Sequence, residues 1–311
     1  MSAHISLTEF RPPVAVVDWV AINVELKRNS NGGHIKSAYE HLGVSHALAL
    51  DKGAGGAASR FEVRIQHPAS YEALDALLTE LDTKYGLAAT PTLTAIEVSI
   101  DFYHEDANNS ALASLTERLM LSLAPSVIEN PRIVGEDWNY AAGLIPSRKV
   151  IDATKTLYIG NRNDDLMWRV YWKQTDETFL GEDGKRVAKP LPHEQYRVRV
   201  EVQIQGKALA DLNLIKVTDL RDFSYERLHT AGLFKFATRK SVSTPIFRNP
   251  YSAGAGKALG IDDDSPACVM NLFGRRDKRK RVRKSLSRHL ITDRELAEAS
   301  RYALRQLSRR F

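Results

Sequence analysis

YRVRVEVQIQ, residues 196–205, decides the fold. Successive side chains of a strand point to opposite faces. Arg197, Arg199, Glu201 and Gln203 therefore share one face, and Val198, Val200, Val202 and Ile204 the other. Two more stretches repeat the pattern. In AIEVSIDF, residues 95–102, Glu97, Ser99 and Asp101 stand opposite Ile96, Val98 and Ile100. In MWRVYWK, residues 167–173, Met167, Arg169, Tyr171 and Lys173 stand opposite Trp168, Val170 and Trp172. Each strand has an ionisable row backed by an apolar one, as an antiparallel sheet with two differently surrounded faces requires.

Outward from these strands, VAVVDWVAINVEL (14–26) reads as an opening strand and RFEVRIQ (60–66) as a second, ended by His67-Pro68. Leu74, Leu77, Leu78 and Leu81 recur at helical spacing, with Ser70 as N-cap and Gly86 as stop. A second helix is expected over 110–124, closed by Pro125. KTLYIG (155–160) and MWRVYWK are strands joined through the turn-rich NRNDD, and the polar stretch 174–190 reads as a loop. Helical segments are expected at 207–215 and 224–237, a linker at 242–266, and a last helix whose Thr292 cap and Glu295 have capping-box spacing. The order predicts an α+β fold, with a mostly antiparallel central sheet flanked by helices and a helical, basic C-terminal region. Residues 1–240 are expected to form the catalytic body and 241–311 a linker plus a basic helical DNA-binding tail.

The 311 residues carry 44 Lys+Arg, 38 Asp+Glu and 43% hydrophobic residues, a globular composition. The longest uncharged stretch is the 12 residues 85–96, and others such as 119–128 run ten, whereas a membrane-spanning helix needs about 20 apolar ones. Cys268 is the single cysteine, so neither an internal disulfide nor a cysteine-based zinc site can form. MSAHISLTEFRPP lacks the pattern of a secretory signal, and the chain reads as cytoplasmic with no membrane partner. Charge is uneven: residues 274–311 hold 14 Lys/Arg against four Asp/Glu, leaving 30 basic and 34 acidic residues elsewhere. Arg275, Arg276, Lys278, Arg279, Lys280, Arg281, Arg283 and Lys284 form a block suited to a phosphate backbone, although a solvated tail has the same composition.

If the three strands are neighbours, Glu97, Asp101 and Glu201 converge, and carboxylates so placed need a cation between them. Oxygen-only ligands select Mg²⁺ or Mn²⁺. Arg199 and Lys173 suit phosphate, and Tyr171 supplies a hydroxyl, so the set fits a phosphoryl-transfer centre. The plainer reading of each strand is a solvated polar face. His104, three residues past Asp101, reads as a strand-end surface residue.

TLYIGNRNDDLMWRVYWKQTDE, residues 156–177, closely resembles the core motif of the Rep_trans (replication initiation factor) family of rolling-circle replication initiators from plasmids and filamentous phages. That family has a T-x-Y-x-G-x-R segment followed by R-[IV]-Y-x-K. AIEVSIDF resembles its R-x-D-x-A-x-D-F strand with Ala95 in place of the arginine, and YRVRVEVQIQ its W-R-[VI]-E-[IL]-E-L strand with Gln203 in place of the second acid. VDWVAINV resembles an opening strand common in phage members.

The resemblance implies an enzyme that nicks and rejoins one strand of its origin. Tyr171 would be the nucleophile, forming a 5′-phosphotyrosyl link and a free 3′-hydroxyl, with Lys173 and Arg199 beside it and a divalent ion on the acids. Expected partners are the duplex origin and its single-stranded nick site, with host helicase, polymerase and a second copy of the chain. A non-catalytic DNA-binding replication or regulatory protein, and a metal-dependent hydrolase, remain alternatives.

Each phosphate neutralised adds about 0.9 to the slope of log affinity against log salt. Deleting residues 275–311 is therefore expected to flatten that slope and weaken duplex binding while sparing cleavage of a short single strand. Salt-titrated binding with circular dichroism of the truncated chain checks this. A folded truncation with unchanged slope would reduce the basic run to a solvated face.

Overall fold

The computed structural model describes residues 5–51, 53, 56–123, 132–135, 138–139, 153–180, 186–239 and 290–311. In chain order its elements are β1 (Val14–Ser30), α1 (Gly32–Tyr39), β2 (Val44–Ala49), β3 (Ala58–Gln66), α2 (Tyr71–Tyr85), β4 (Thr92–Phe102), α3 (Asn109–Ser122), β5 (Arg132–Gly135), β6 (Trp138–Asn139), β7 (Thr156–Ile159), β8 (Leu166–Lys173), β9 (Thr175–Leu180), β10 (Arg186–Pro190), β11 (Arg197–Gln205), α4 (Lys207–Asp211), α5 (Glu226–Thr230), β12 (Ala237–Arg239), β13 (Leu290–Thr292) and α6 (Arg294–Arg310). A nine-stranded sheet runs β2-β3-β1-β4-β11-β8-β7-β5-β6, and its pairings are antiparallel. The expected α+β fold is present, with the three decisive strands as neighbours.

The apolar rows build the core. Ile96, Val98 and Ile100 of β4, Val198, Val200 and Val202 of β11, and Trp168 and Val170 of β8 are buried in one cluster with Leu77 of α2, Leu112 of α3 and Leu304 of α6. Trp168 donates its indole N–H to the Leu233 carbonyl at 2.8 Å. Trp172 packs at the edge of that cluster, edge-on to Tyr196.

On β1 the alternation breaks. Val17 pairs with Val98 but Trp19 pairs with Glu97, leaving Asp18 as an extra residue. The bulge puts two consecutive side chains, Asp18 and Trp19, on the charged face. Bulges re-aim side chains in this way next to functional sites.

Several segments differ from expectation. The stretch 174–190 contains the hairpin of β9 and β10, whose polar residues hide any core-facing pattern. Two elements lack a clear periodic signal: the helix α1, and β2, which forms the sheet edge. Helices α4 and α5 span only five residues each. The linker at 242–266 and the basic residues 275–284 lie outside the described residues.

The C-terminal helix belongs to the body. Leu296, Ala303, Leu304 and Leu307 enter the same core as the strands, so a boundary at 240 separates α6 from the core it completes. Its cap is Asp293, whose side chain accepts from Leu296 N–H, because Thr292 is already engaged in β13 opposite Ala237. Arg118 of α3 grips this end, donating to Asp293 at 2.8 Å, to Glu295 at 2.7 Å and to the Ile5 carbonyl at 2.6 Å. Glu295 in turn accepts from the Ser6 hydroxyl and from Leu7 N–H. Strands β12 and β13 pair with Arg239 opposite Leu290, so the segment between them departs and returns at adjacent points.

Truncation at 275 therefore removes part of the core, and neutralising the basic residues in the intact chain is the cleaner test of the basic run. Leu304→Ala should lower unfolding stability by about 2–5 kcal/mol, the usual cost of emptying a leucine site. Tyr302→Ala, on the exposed side of α6, should change it by less than about 0.5 kcal/mol. Urea denaturation followed by circular dichroism measures both, and equal losses would place α6 outside the core.

Candidate active site

The order β1-β4-β11-β8 stacks the ionisable rows into one surface. Asp101, Arg199 and Tyr171 stand opposite one another across β4, β11 and β8; the adjacent row is Ser99, Glu201 and Arg169; the next is Glu97, Gln203 and Met167. Ser99 is small, which leaves room above it for acids from either side. Asp18 reaches in from the bulge, Glu97 from the row below and Glu201 from β11. One carboxylate oxygen of each lies within 4.8 Å of the others. The three residues are only 4%, 4% and 2% exposed.

Three buried carboxylates repel one another strongly, by several kcal/mol per pair at a dielectric of about 20. Counter-charges surround them. Arg169 places Nη2 3.0 Å from both Glu97 oxygens and ion-pairs through Nε with Glu201. Arg199 donates to both Asp18 oxygens at 3.0 and 3.1 Å and, through Nε and Nη2, to Asp101 at 2.6 Å each. Trp19 donates its indole N–H to Glu97 at 2.8 Å, and Ser99 donates its hydroxyl to Asp18.

Tyr171 Oη donates to Glu201 Oε1 at 2.6 Å. Burial raises its pKa above the ordinary phenol value, and the charge of Glu201 adds to this. Burial and the charge of Glu201 also push the Glu97 carboxyl up to about 7, against the opposing pull of Arg169. Burial raises Glu201 too, with Arg169 and Arg199 pulling the other way.

These groups line an open cleft of about 290 Å³, together with Arg64, Gln66, His67, Arg162 and Lys173. Arg64 lies 4.1 Å over the Trp19 ring. Arg162 is carried by the turn between β7 and β8. Gly160 has φ +84 there, and an added Cβ would meet the Leu166 carbonyl oxygen at 2.5 Å, so the turn requires glycine. Gln203 donates to the Arg162 carbonyl at 3.0 Å and fixes that turn from β11.

Of the residues expected at the site, Glu97, Glu201, Tyr171, Lys173 and Arg199 line the cleft. Asp101 does not join the carboxylate triad. Its cross-strand partner is Arg199, which holds it through paired bonds, and Arg197 adds an ion pair at 3.1 Å. Arg199 is itself buried between Asp18 and Asp101, which orients carboxylates and keeps its guanidinium from the cleft mouth. Lys173 ion-pairs with Asp176 at 3.3 Å. His104 is buried, packs edge-on against Phe10 and accepts through Nδ1 from Asp106 N–H at 3.1 Å, apart from the triad.

Asp18 is the acid that the expected set lacked. Its signal was an ionisable residue inside the apolar run VAVVDWVAINV, but the bulge that turns it inward has no mark in the alternation. The set of donors suits a hard divalent cation. It is all oxygen, three carboxylates converge, and Glu201 Oε2 is buried without an aligned hydrogen bond.

No protein-family model matches the chain, and no curated protein matches it. Among solved structures it is similar to a rolling circle replication initiator protein from Geobacillus stearothermophilus, at 15% identity and a TM-score of 0.38, over 81% of this chain and 99% of that one. A similarity at that level assigns no residue and no activity.

Asp18→Asn should weaken Mn²⁺ binding by at least about tenfold, a loss that even outer-shell changes produce, and Asp101→Asn by less. The affinity should rise with pH through about 7, where the Glu97 proton leaves. The metal-free protein should meanwhile lose stability, since a carboxyl whose folded pKa is raised stabilises below its unfolded value and loses that contribution as pH rises through about 7. Calorimetric titration with Mn²⁺ and melting curves from pH 5 to 8 check both. Greater loss in Asp101→Asn than in Asp18→Asn would relocate the cation.

Proposed function

We propose that the protein is a rolling-circle DNA replication initiator that nicks and rejoins its origin by transesterification at Tyr171. One observation carries this reading: the Tyr171 hydroxyl donates at 2.6 Å to a carboxylate of the triad, inside a cleft lined by cations.

Tyr171 Oη attacks the scissile phosphorus, and its proton passes to Glu201 Oε1. The bond from phosphorus to the 3′-oxygen breaks as the bond to Tyr171 forms. The strand is left with a free 3′-hydroxyl after proton uptake, and its other end is linked through its 5′-phosphate to tyrosine. Rejoining is the same step in reverse, so the energy of the phosphodiester is kept in the covalent link. A raised phenol pKa makes an adjacent base and positive charge necessary, and the Glu201–Tyr171 contact provides the first. A divalent ion held by Asp18, Glu97 and Glu201 would supply Lewis acidity toward the phosphate oxygens. Arg64, Arg162 and Lys173, which line the cleft, would receive backbone phosphates, while Arg199 would act through Asp18 as a positioning residue. Arg275, Arg276, Lys278, Arg279, Lys280, Arg281, Arg283 and Lys284 would add sequence-independent phosphate contacts.

Wild-type protein incubated with Mn²⁺ and a single-stranded oligonucleotide spanning the origin should give an adduct that survives denaturing electrophoresis, and peptide mapping should place it on Tyr171. Tyr171→Phe should abolish the adduct and leave oligonucleotide affinity within about twofold, since it removes one hydroxyl. An adduct on Tyr158 overturns the assignment of the nucleophile. Cleavage without adduct indicates a hydrolase, and binding without cleavage a non-catalytic DNA-binding protein.

A further inference from the structure

Two guanidiniums neutralise the carboxylate triad, and they are held differently. Arg199 is locked: its side chain is 5% exposed, and it makes aligned hydrogen bonds to both Asp101 and Asp18. Arg169 sits at the cleft side, with its side chain 26% exposed. Its Nη2 contacts Glu97, but its Nε and Glu201 Oε2 form an ion pair with no hydrogen-bond alignment, and neither atom has another partner. Charge attraction rather than directional bonding dominates that end of the contact. Arg169 also engages two of the three groups that a cation at the triad would use, and it opens onto the cleft where a phosphodiester would lie.

We propose that Arg169 is a displaceable counter-ion. A divalent cation and the Arg169 guanidinium compete for the oxygens of Glu97 and Glu201. When the cation takes them, the guanidinium swings on its stem into the cleft and pairs with the DNA phosphate. Without the cation the site neutralises itself; with it, a positive charge is released toward the substrate. Metal binding and DNA binding thereby strengthen each other, and linkage requires the coupling to be the same in both directions. This rests on the metal site proposed above.

The probe is Mn²⁺, titrated calorimetrically into wild type, Arg169→Met and Arg169→Lys, with and without a short single-stranded oligonucleotide. Arg169→Met should bind Mn²⁺ at least about tenfold more tightly than wild type, since a unit charge a few ångströms away repels the ion. Arg169→Lys, which keeps the charge and loses the two-carboxylate reach, should fall between them. The oligonucleotide should tighten Mn²⁺ binding in wild type and no longer do so in Arg169→Met. Circular dichroism reports folding of each variant, and Arg169→Lys carries the comparison if Arg169→Met does not fold. A folded variant that binds Mn²⁺ no more tightly than wild type overturns the displacement. Failure of wild type and variants alike to bind Mn²⁺ overturns the metal site itself, which is a different result.

Discussion

Like charges can be buried together only if opposite charges are buried with them. Asp18, Glu97, Glu201 and Asp101 face Arg169, Arg197 and Arg199 on one surface of the sheet, an excess of one negative charge. Everything else about the site follows from keeping that balance. The strands must hold their register, since a slip of one residue would send the charged row into the core and the valines to the cleft. The apolar face fixes that register, with the valines of β11 packed against helices that include the last one in the chain. Core and site are therefore two sides of one constraint.

The same arithmetic gives each charged residue a different task. Asp101 and Arg199 saturate each other and form a rigid frame that holds Asp18. Glu97 and Glu201 have raised pKa values, which burial produces first and which neighbouring carboxylates increase against the pull of the arginines. Perturbed carboxyls lining a cleft mark a candidate site, and both belong to the proposed cation-binding set.

How much of this was legible in the sequence depended on period. The rows of β4, β8 and β11 could be assigned residue by residue, because an uninterrupted strand leaves no freedom in which face a side chain takes. Their adjacency was only a condition of the sequence reading, and the sheet order β4-β11-β8 meets it. Asp18 was hidden by a bulge, a single inserted residue that resets the period without changing composition. Asp101 was placed with the acids because it shares a face with Glu97, but face is not distance: four positions along the strand put it two rows from Glu97, opposite an arginine that claims both its oxygens. The polar strands β9 and β10 carry no core-facing pattern to read, and the cap of α6 depends on the pairing of Thr292 with a distant strand that no local pattern reveals.

The pairing of β12 with β13 makes the chain between them a handle stitched to the body at both ends. The basic run belongs to that handle and is not a free tail, because the helix beyond it is bolted into the core. On the proposed reading, affinity for a polyanion and chemistry at the sheet belong to separate stretches of one chain and can diverge independently.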